Sequence, residues 1–309
     1  MEEANQTFPE RFILLGLSNV LYLQAIFFIV FLVMYIITLS VNLLLIIVVS
    51  INPRLHTPMY FFLINLSIID ICFPSTTVPK ILVNTLVKDR SISLLGCAGQ
   101  MFFHLALGST ECLILAIMAY DRFAAICRPL HYKTIMNKML CVSLTAGAWS
   151  ISFLNSALQV VLTFQLPYCN SRHVNHFFCE VPPFLQMACG DTLLNTIAMY
   201  IAAGAVAMSS FFLTLISYVY IISNILKISS SQGRLKTFST CGSHLTVVTL
   251  YYGTIMSMYL TPHSNHSPEI DKTVSILYTA VTPMLNPIVY SIRNKDVINT
   301  VKYTMHKIL

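Results

Sequence analysis

Seven stretches of this chain, near residues 23–50, 58–84, 97–120, 140–163, 196–226, 240–260 and 272–292, are predominantly apolar. Each reaches the roughly 20 residues that a helix needs to cross a bilayer. Composition supports the same reading, since 56% of the residues are hydrophobic and only 10% are charged. A soluble domain carries about 25% charged residues, enough polar surface to cover a globule in water. The chain is therefore expected to be a polytopic membrane protein. Its formal net charge of +6 has no basic run or basic-aromatic stripe behind it, so topology rather than nucleic acid accounts for it.

Seven crossings place the termini on opposite sides, and Lys and Arg choose which. Arg54, Arg122, Arg128, Lys133, Lys138, Lys227, Arg234, Lys236, Arg293, Lys295, Lys302 and Lys307 fall on one side. Arg11, Lys80, Lys88, Arg90, Arg172 and Lys272 fall near the other. The positive-inside rule puts the N-terminus outside and the C-terminus in the cytoplasm of a plasma-membrane protein. Asn5-Gln6-Thr7 is an N-glycosylation sequon on the outer side. Asn65-Leu66-Ser67 lies inside a span, and Asn265-His266-Ser267 is followed by Pro268. No cleavable signal peptide is apparent; the first apolar run is expected to serve as an uncleaved targeting signal.

No linker, low-complexity tract or repeat separates a second unit. One domain is expected over 1–309: an extracellular segment 1–22, a helical bundle 23–292 and a tail 293–309. The missing repeat argues against a transporter, and no ring of like charge or carbonyl filter points to a channel. No HExxH, GxxxxGK[ST] or GxSxG motif occurs, so no enzyme is read. Cys97, Cys169, Cys179 and Cys189 lie outside, where disulfides persist, and permit three pairings. His176-Phe177-Phe178-Cys179-Glu180 is the alternative, a metal site.

Two costly features sit within the spans. Asp121 and Arg122 close the third apolar run at its cytoplasmic end, where an isolated Arg would serve as an interfacial anchor. Asp70 and Glu111 lie at mid-membrane depth, where two carboxyls either share a proton or hold a cation.

Residues 118–132, MAYDRFAAICRPLHY, occur in order with HTPMYFFL at 56–63, KTFSTCGSHL at 236–245 and PMLNPIVYS at 283–291. Together they resemble the olfactory receptors of the tetrapod type (class II), which are rhodopsin-like G-protein-coupled receptors. The resemblance covers nearly the whole chain. It implies an all-α membrane fold: a seven-transmembrane helix bundle with a short cytoplasmic amphipathic helix, near Lys295 to Leu309. No cysteine follows the seventh span, so palmitoylation of that tail is not expected.

The resemblance also implies roles. Asp121 would hold Arg122 at rest; on activation Arg122 would turn towards Tyr218 and His244 as the sixth helix swings out. Phe123 and Ala124 depart from the commoner MAYDRYVAIC, which removes any tyrosine-mediated contact but not the switch. Asn286, Pro287 and Tyr290 form a second moving part, since a proline within a span frees a carbonyl and allows a kink. Asp70 and Glu111 match a sodium pocket that favours the resting state; no other cofactor is expected. Cys97 would pair with Cys179 and Cys169 with Cys189, so that the long outer loop lids the bundle.

By the same resemblance the ligand pocket lies among the third, fifth and sixth helices. Its residues would be His104, Leu105, Gly108, Ser109, Cys112, Asn155, Gln159, Met199, Ala202, Ala203, Val206, Tyr252, Ile255, Met256, Tyr259, Ile276 and Thr279. His104, Gly108 and Cys112 recur every four residues and can share one face. Gly108 equally suits close helix packing. No carboxylate stands where receptors for biogenic amines carry one; His104 takes that place. The lining suits a small volatile odorant, mostly hydrophobic with one oxygen function, and an anion paired with protonated His104 is the other reading. Burial would supply most affinity, roughly 0.8 kcal/mol per CH2, leaving selectivity loose. The resemblance implies that the receptor activates a stimulatory heterotrimeric G protein and raises cyclic AMP.

Overall fold

A computed structural model describes residues 10–18, 20–169, 172–260 and 268–292. Asn5 and the tail beyond Ile292, with its expected amphipathic helix, lie outside the described residues. In chain order the elements are β1 (Arg11–Leu14), α1 (Leu21–Ile51), α2 (Pro58–Leu86), β2 (Ser91–Ser93), α3 (Leu94–Cys127) and α4 (Tyr132–Ile135). There follow α5 (Lys138–Phe164), β3 (His173–Val174), α6 (Val181–Met187), α7 (Leu193–Leu226), α8 (Ser231–Leu260), α9 (Pro268–Ile276) and α10 (Thr282–Ile292).

The seven crossings are α1, α2, α3, α5, α7, α8 and a composite of α9 and α10. Five of them, α1, α2, α3, α5 and α7, are long and apolar enough to span by length and composition alone. The sixth falls short on composition because α8 intersperses Ser243, His244, Thr246, Thr249, Tyr251, Tyr252 and Thr254 among its apolar residues. The seventh falls short on length because a π-helical turn, Leu277–Val281, divides it. Large apolar side chains such as Ile26, Ile29, Val33 and Ile36 on α1 face outward, as they must where the solvent is hydrocarbon.

Polar side chains tie the crossings together. Pro287 has no N–H, so the carbonyl of Pro283, four residues earlier, lacks its ordinary helical donor. Asn42 of α1 supplies one, its Nδ2 donating to Pro283 O at 3.2 Å. Trp149 Nε1 of α5 donates to Asn65 Oδ1 of α2 at 3.4 Å. Ser243 Oγ of α8 donates to Val289 O at 3.0 Å. Each bond joins helices at a point where hydrocarbon offers the group no partner.

A small sheet caps the outer end. β1 is its centre, antiparallel to β2 with Phe12 opposite Ile92, and parallel to β3 with Leu14 opposite Val174. Alternation in Arg11–Leu14 turns Phe12 and Leu14 inward, both fully buried against Met101, Phe184 and Met199. The chain leaves β1 through Gly16 at φ 77°, a left-handed conformation that suits glycine. Arg11–Leu14 is thus part of the lid, a role that composition and motifs do not anticipate.

Candidate ligand and signalling sites

The long outer loop is fixed over the bundle by three devices. Disulfides join Cys97 to Cys179 and Cys169 to Cys189, with Cα–Cα distances of 5.5 and 6.0 Å. Gln100 on α3 adds a polar clamp: its Oε1 accepts from Cys179 N at 2.9 Å and its Nε2 donates to Thr76 O at 2.8 Å. With Cys179 bridged, a metal site over His176–Glu180 loses its thiolate, and no group of three metal-ligating side chains occurs among the described residues.

Beneath this lid is a cavity walled by Phe73 of α2, His104, Leu105, Gly108, Ser109, Glu111 and Cys112 of α3, and Glu180 of the loop. Ala203, Val206 and Ala207 of α7, Tyr251 and Ile255 of α8, and Tyr278 of the π turn complete it. It offers about 100 Å³ to the centres of water-sized molecules. One water needs roughly 10–15 Å³ by that measure, so the space suits a small organic molecule. His104 is held by rings, 4.6 Å from Phe73 and 4.7 Å from Phe178 between centroids, and its Nδ1 has no hydrogen-bond partner. Cys112 faces the cavity with its thiol 2.8 Å from Ser210 Oγ.

The loop contributes a polar group of its own. Glu180 is 3% exposed; its Oε1 accepts from Tyr278 OH at 2.8 Å, and its Oε2 has no partner. Burial pushes its carboxyl up to about 7, opposed by the Tyr278 bond. His176, whose Nε2 lies 4.0 Å from Glu180 Oε2, is lowered to about 3, chiefly by burial and then by the charge of Lys272.

Deeper in the bundle Asn286 bridges three helices, Nδ2 donating to Asp70 Oδ1 at 2.9 Å and to Glu111 Oε1 at 3.2 Å. Asp70 Oδ2 is buried without a partner. At the cytoplasmic end Tyr218 OH lies 2.7 Å from His244 Nδ1, and His244 Nε2 lies 3.1 Å from Leu115 O. A carbonyl only accepts, so Nε2 carries the proton and Nδ1 accepts from the tyrosine. One imidazole on α8 therefore grips both α7 and α3.

A family model described as olfactory receptor matches residues 31–307. The chain is 46% identical to olfactory receptor 5AR1 of Mus musculus over 297 residues, covering 96% of each chain. It is 46% identical to olfactory receptor 11L1 of Homo sapiens over 307 residues, 99% of this chain and 95% of that one. A third relative, putative olfactory receptor 2B3 of Homo sapiens, is 46% identical over 308 residues, 100% of this chain and 98% of that one. The chain belongs to the olfactory receptor family. It is a membrane protein of the G-protein-coupled class, a receptor for odorants and not an enzyme.

In this olfactory receptor the cavity gathers His104, Leu105, Gly108, Ser109, Cys112, Ala203, Val206 and Ile255 from the set expected of the sequence. The other described members of that set are not among the lining residues. Gln159 is turned to the fifth span, donating to Ala198 O at 3.2 Å. Met199 packs beneath the outer sheet with Phe12 and Met101. Tyr252 stands behind Cys112, its hydroxyl donating to Cys112 O at 3.4 Å. Ile276 packs against the cluster of Phe31 and Val78, and Thr279 is fully buried with its hydroxyl on Ser275 O. Asn155, Ala202 and Met256 are not among the lining residues, and the Tyr259 side chain lies outside the described residues.

The receptor's lining also includes residues the sequence reading passed over: Phe73, Glu180, Ala207, Tyr251 and Tyr278, with Glu111 read only as an ion ligand. Glu180 was visible in the sequence beside Cys179, and the expected bridge to Cys97 was the signal that could have placed it over the third helix.

The expected hold of Asp121 on Arg122 does not take the form of a close ion pair. Among the described residues no ion pair joins them; Asp121 Oδ1 accepts from Tyr132 OH at 2.7 Å, and Arg122 Nη2 is directed at Met59 Sδ. Neighbouring residues on a helix point in different directions, so the acid reaches the α4 loop while the base reaches α2. Asn286 meets the carboxyl pair and Pro287 frees Pro283 O, whereas Tyr290 is buried with its hydroxyl unbonded.

Proposed function

We propose that this receptor binds a small, mostly hydrophobic odorant in the cavity under the outer loop and activates a stimulatory heterotrimeric G protein, raising cyclic AMP. The distribution of Lys and Arg supports an extracellular N-terminus and a cytoplasmic C-terminus. The observation that carries the reading is the placement of the cavity and the His244 grip on the same two helices. Ser109 and Cys112 of α3, and Val206 of α7, wall the cavity, while Leu115 of α3 and Tyr218 of α7 hold His244. A ligand that shifts α3 against α7 and α8 therefore acts directly on the bonds that keep α8 inward. Release of α8 opens a cytoplasmic cleft and leaves Tyr218 for Arg122, an exchange of hydrogen bonds at small net cost.

Sodium is the proposed ion of the Asp70 and Glu111 pair. The residues fit it: two carboxyls meet at Asn286, and Asp70 Oδ2 is buried with no donor of its own. A cation there would supply the missing positive charge and favour the inward state.

The test is cyclic AMP in cells expressing the chain, against alcohols, aldehydes, ketones, esters and acids of small size, with surface display measured. A dose-dependent response that Arg122→Ala abolishes without loss of display is expected. An unchanged response in that variant would take Arg122 out of the switch, and activation of a different G protein would overturn the coupling assignment.

A further inference from the structure

Resting on the odorant-site reading above, we propose that the ligand is a small hydrophobic amine, and that Glu180, delivered by the outer loop, receives its ammonium group. The third helix carries no carboxylate at His104, so the sequence alone points away from amines. The fold reverses that conclusion, because the Cys97–Cys179 bridge swings the next residue, Glu180, over the cavity.

Three observations support the assignment. Glu180 is 3% exposed and lines the cavity, yet Oε2 has no hydrogen-bond partner. A buried carboxylate oxygen left unpaired is costly, and a ligand donor removes that cost. The other oxygen is fixed by Tyr278 OH at 2.8 Å, so the carboxyl is oriented before any ligand arrives. Among the described residues the cation candidate beside it, His176, stops at 4.0 Å, too far for a hydrogen bond, and is kept neutral by burial.

The sign of the lining narrows the class further. Glu111 and Glu180 both line the cavity, and among the described residues no Lys or Arg does. An organic anion would meet Glu180 with no Lys or Arg among those lining residues to offset it, which disfavours a carboxylic acid ligand. A neutral alcohol satisfies Oε2 through an ordinary hydrogen bond. An ammonium does so through a charge-assisted one, roughly twice as strong. The apolar remainder of the molecule would lie against Leu105, Val206 and Ile255. His104 Nδ1, also unpartnered, offers a second polar contact within the same space.

The experiment measures direct binding to the full chain in lipid nanodiscs, independent of any G protein, with hexylamine, hexan-1-ol and hexanoate, and with benzylamine against benzyl alcohol. In the native chain the amine is expected to bind about tenfold to a hundredfold more tightly than the alcohol of the same skeleton, the range of one charge-assisted hydrogen bond. Hexanoate should bind more weakly still. Glu180→Gln keeps the shape of the side chain and an acceptor for Tyr278, and should bring amine and alcohol to within about threefold. Equal or tighter binding of alcohol or acid in the native chain, no binding of either amine, or a preference that survives Glu180→Gln overturns the proposal. If that variant does not reach the folded state, the native comparison still decides. Amine binding without cyclic AMP would leave this inference standing and refute the coupling reading; alcohol binding with cyclic AMP would do the reverse.

Discussion

Replacing His244 by Phe keeps a planar ring of similar size and removes both bonds that hold α8 inward. Tyr218 OH loses its acceptor at 2.7 Å, and the contact with Leu115 O at 3.1 Å disappears. The Leu115 carbonyl retains its place in the α3 ladder, so its loss is small. The Tyr218 hydroxyl, 4% exposed as a residue, is left without its acceptor in the closed state. Leaving a buried hydroxyl unsatisfied costs about 1–3 kcal/mol. The open state makes neither bond and is not penalised, so the whole cost falls on the closed one. An equilibrium of about 1:99 would move to roughly 5% open at the lower figure and roughly 60% at the upper. The assay is ligand-free cyclic AMP, normalised to receptors counted at the cell surface. A rise of about fivefold or more is expected. Basal signalling that stays level or falls at normal display would refute the assignment of His244 as the closing grip.

The remaining expectations concern the lid, the ion and the proline. Closing loops of 82 and 20 residues, the two disulfides restrict the unfolded chain by about 4.5 and about 3.3 kcal/mol; Cys97→Ser should therefore reduce surface display more than Cys169→Ser, and the opposite order would show that loop entropy does not decide it. Sodium should lower basal cyclic AMP in the native receptor and have no such effect in Asp70→Asn; an equal effect in both would remove the ion from that site. Asn42→Leu leaves Pro283 O without a donor and should cost about 1–3 kcal/mol, read as a lower melting temperature in detergent, where an unchanged value would count against it. Glu180 is raised from 4.5 to about 7, so the folded chain binds its proton more tightly and stability falls as pH rises across that range. His176 is lowered from 6.5 to about 3, so its contribution rises with pH between those values. With Tyr278, Asp271, Lys272, His104 and Glu111 as the other titratable or charged groups near this pair among the described residues, the two trends oppose one another from about 4.5 to 6.5. Glu180→Gln should remove the Glu180 fall and so steepen the rise in thermal melts over that interval; the same profile as the native chain would refute the opposition.

The sequence by itself determined the membrane, the number of crossings and the family. Long apolar runs admit little but helices in hydrocarbon, and the four cytoplasmic and seventh-span motifs are local strings that no packing can conceal. It also brought Asp70, Glu111 and Asn286 under suspicion, because buried carboxyls are expensive wherever they occur. The tertiary structure decided what those groups touch. Whether Asp121 bonds to its neighbour or to Tyr132 depends on where α4 lies, and helical spacing says nothing of that. The cavity depends on which turns of five helices converge, so Phe73 and Tyr251 joined it while Gln159 and Met199 were turned to other partners. Glu180 is the clearest case. Its charge was written in the chain, but its position over the third helix is a product of the disulfide, Gln100 and Tyr278 acting together. Local sequence sets what a segment can be; the meeting of distant segments sets which buried atoms are left in need of a partner, and that need is what a ligand answers.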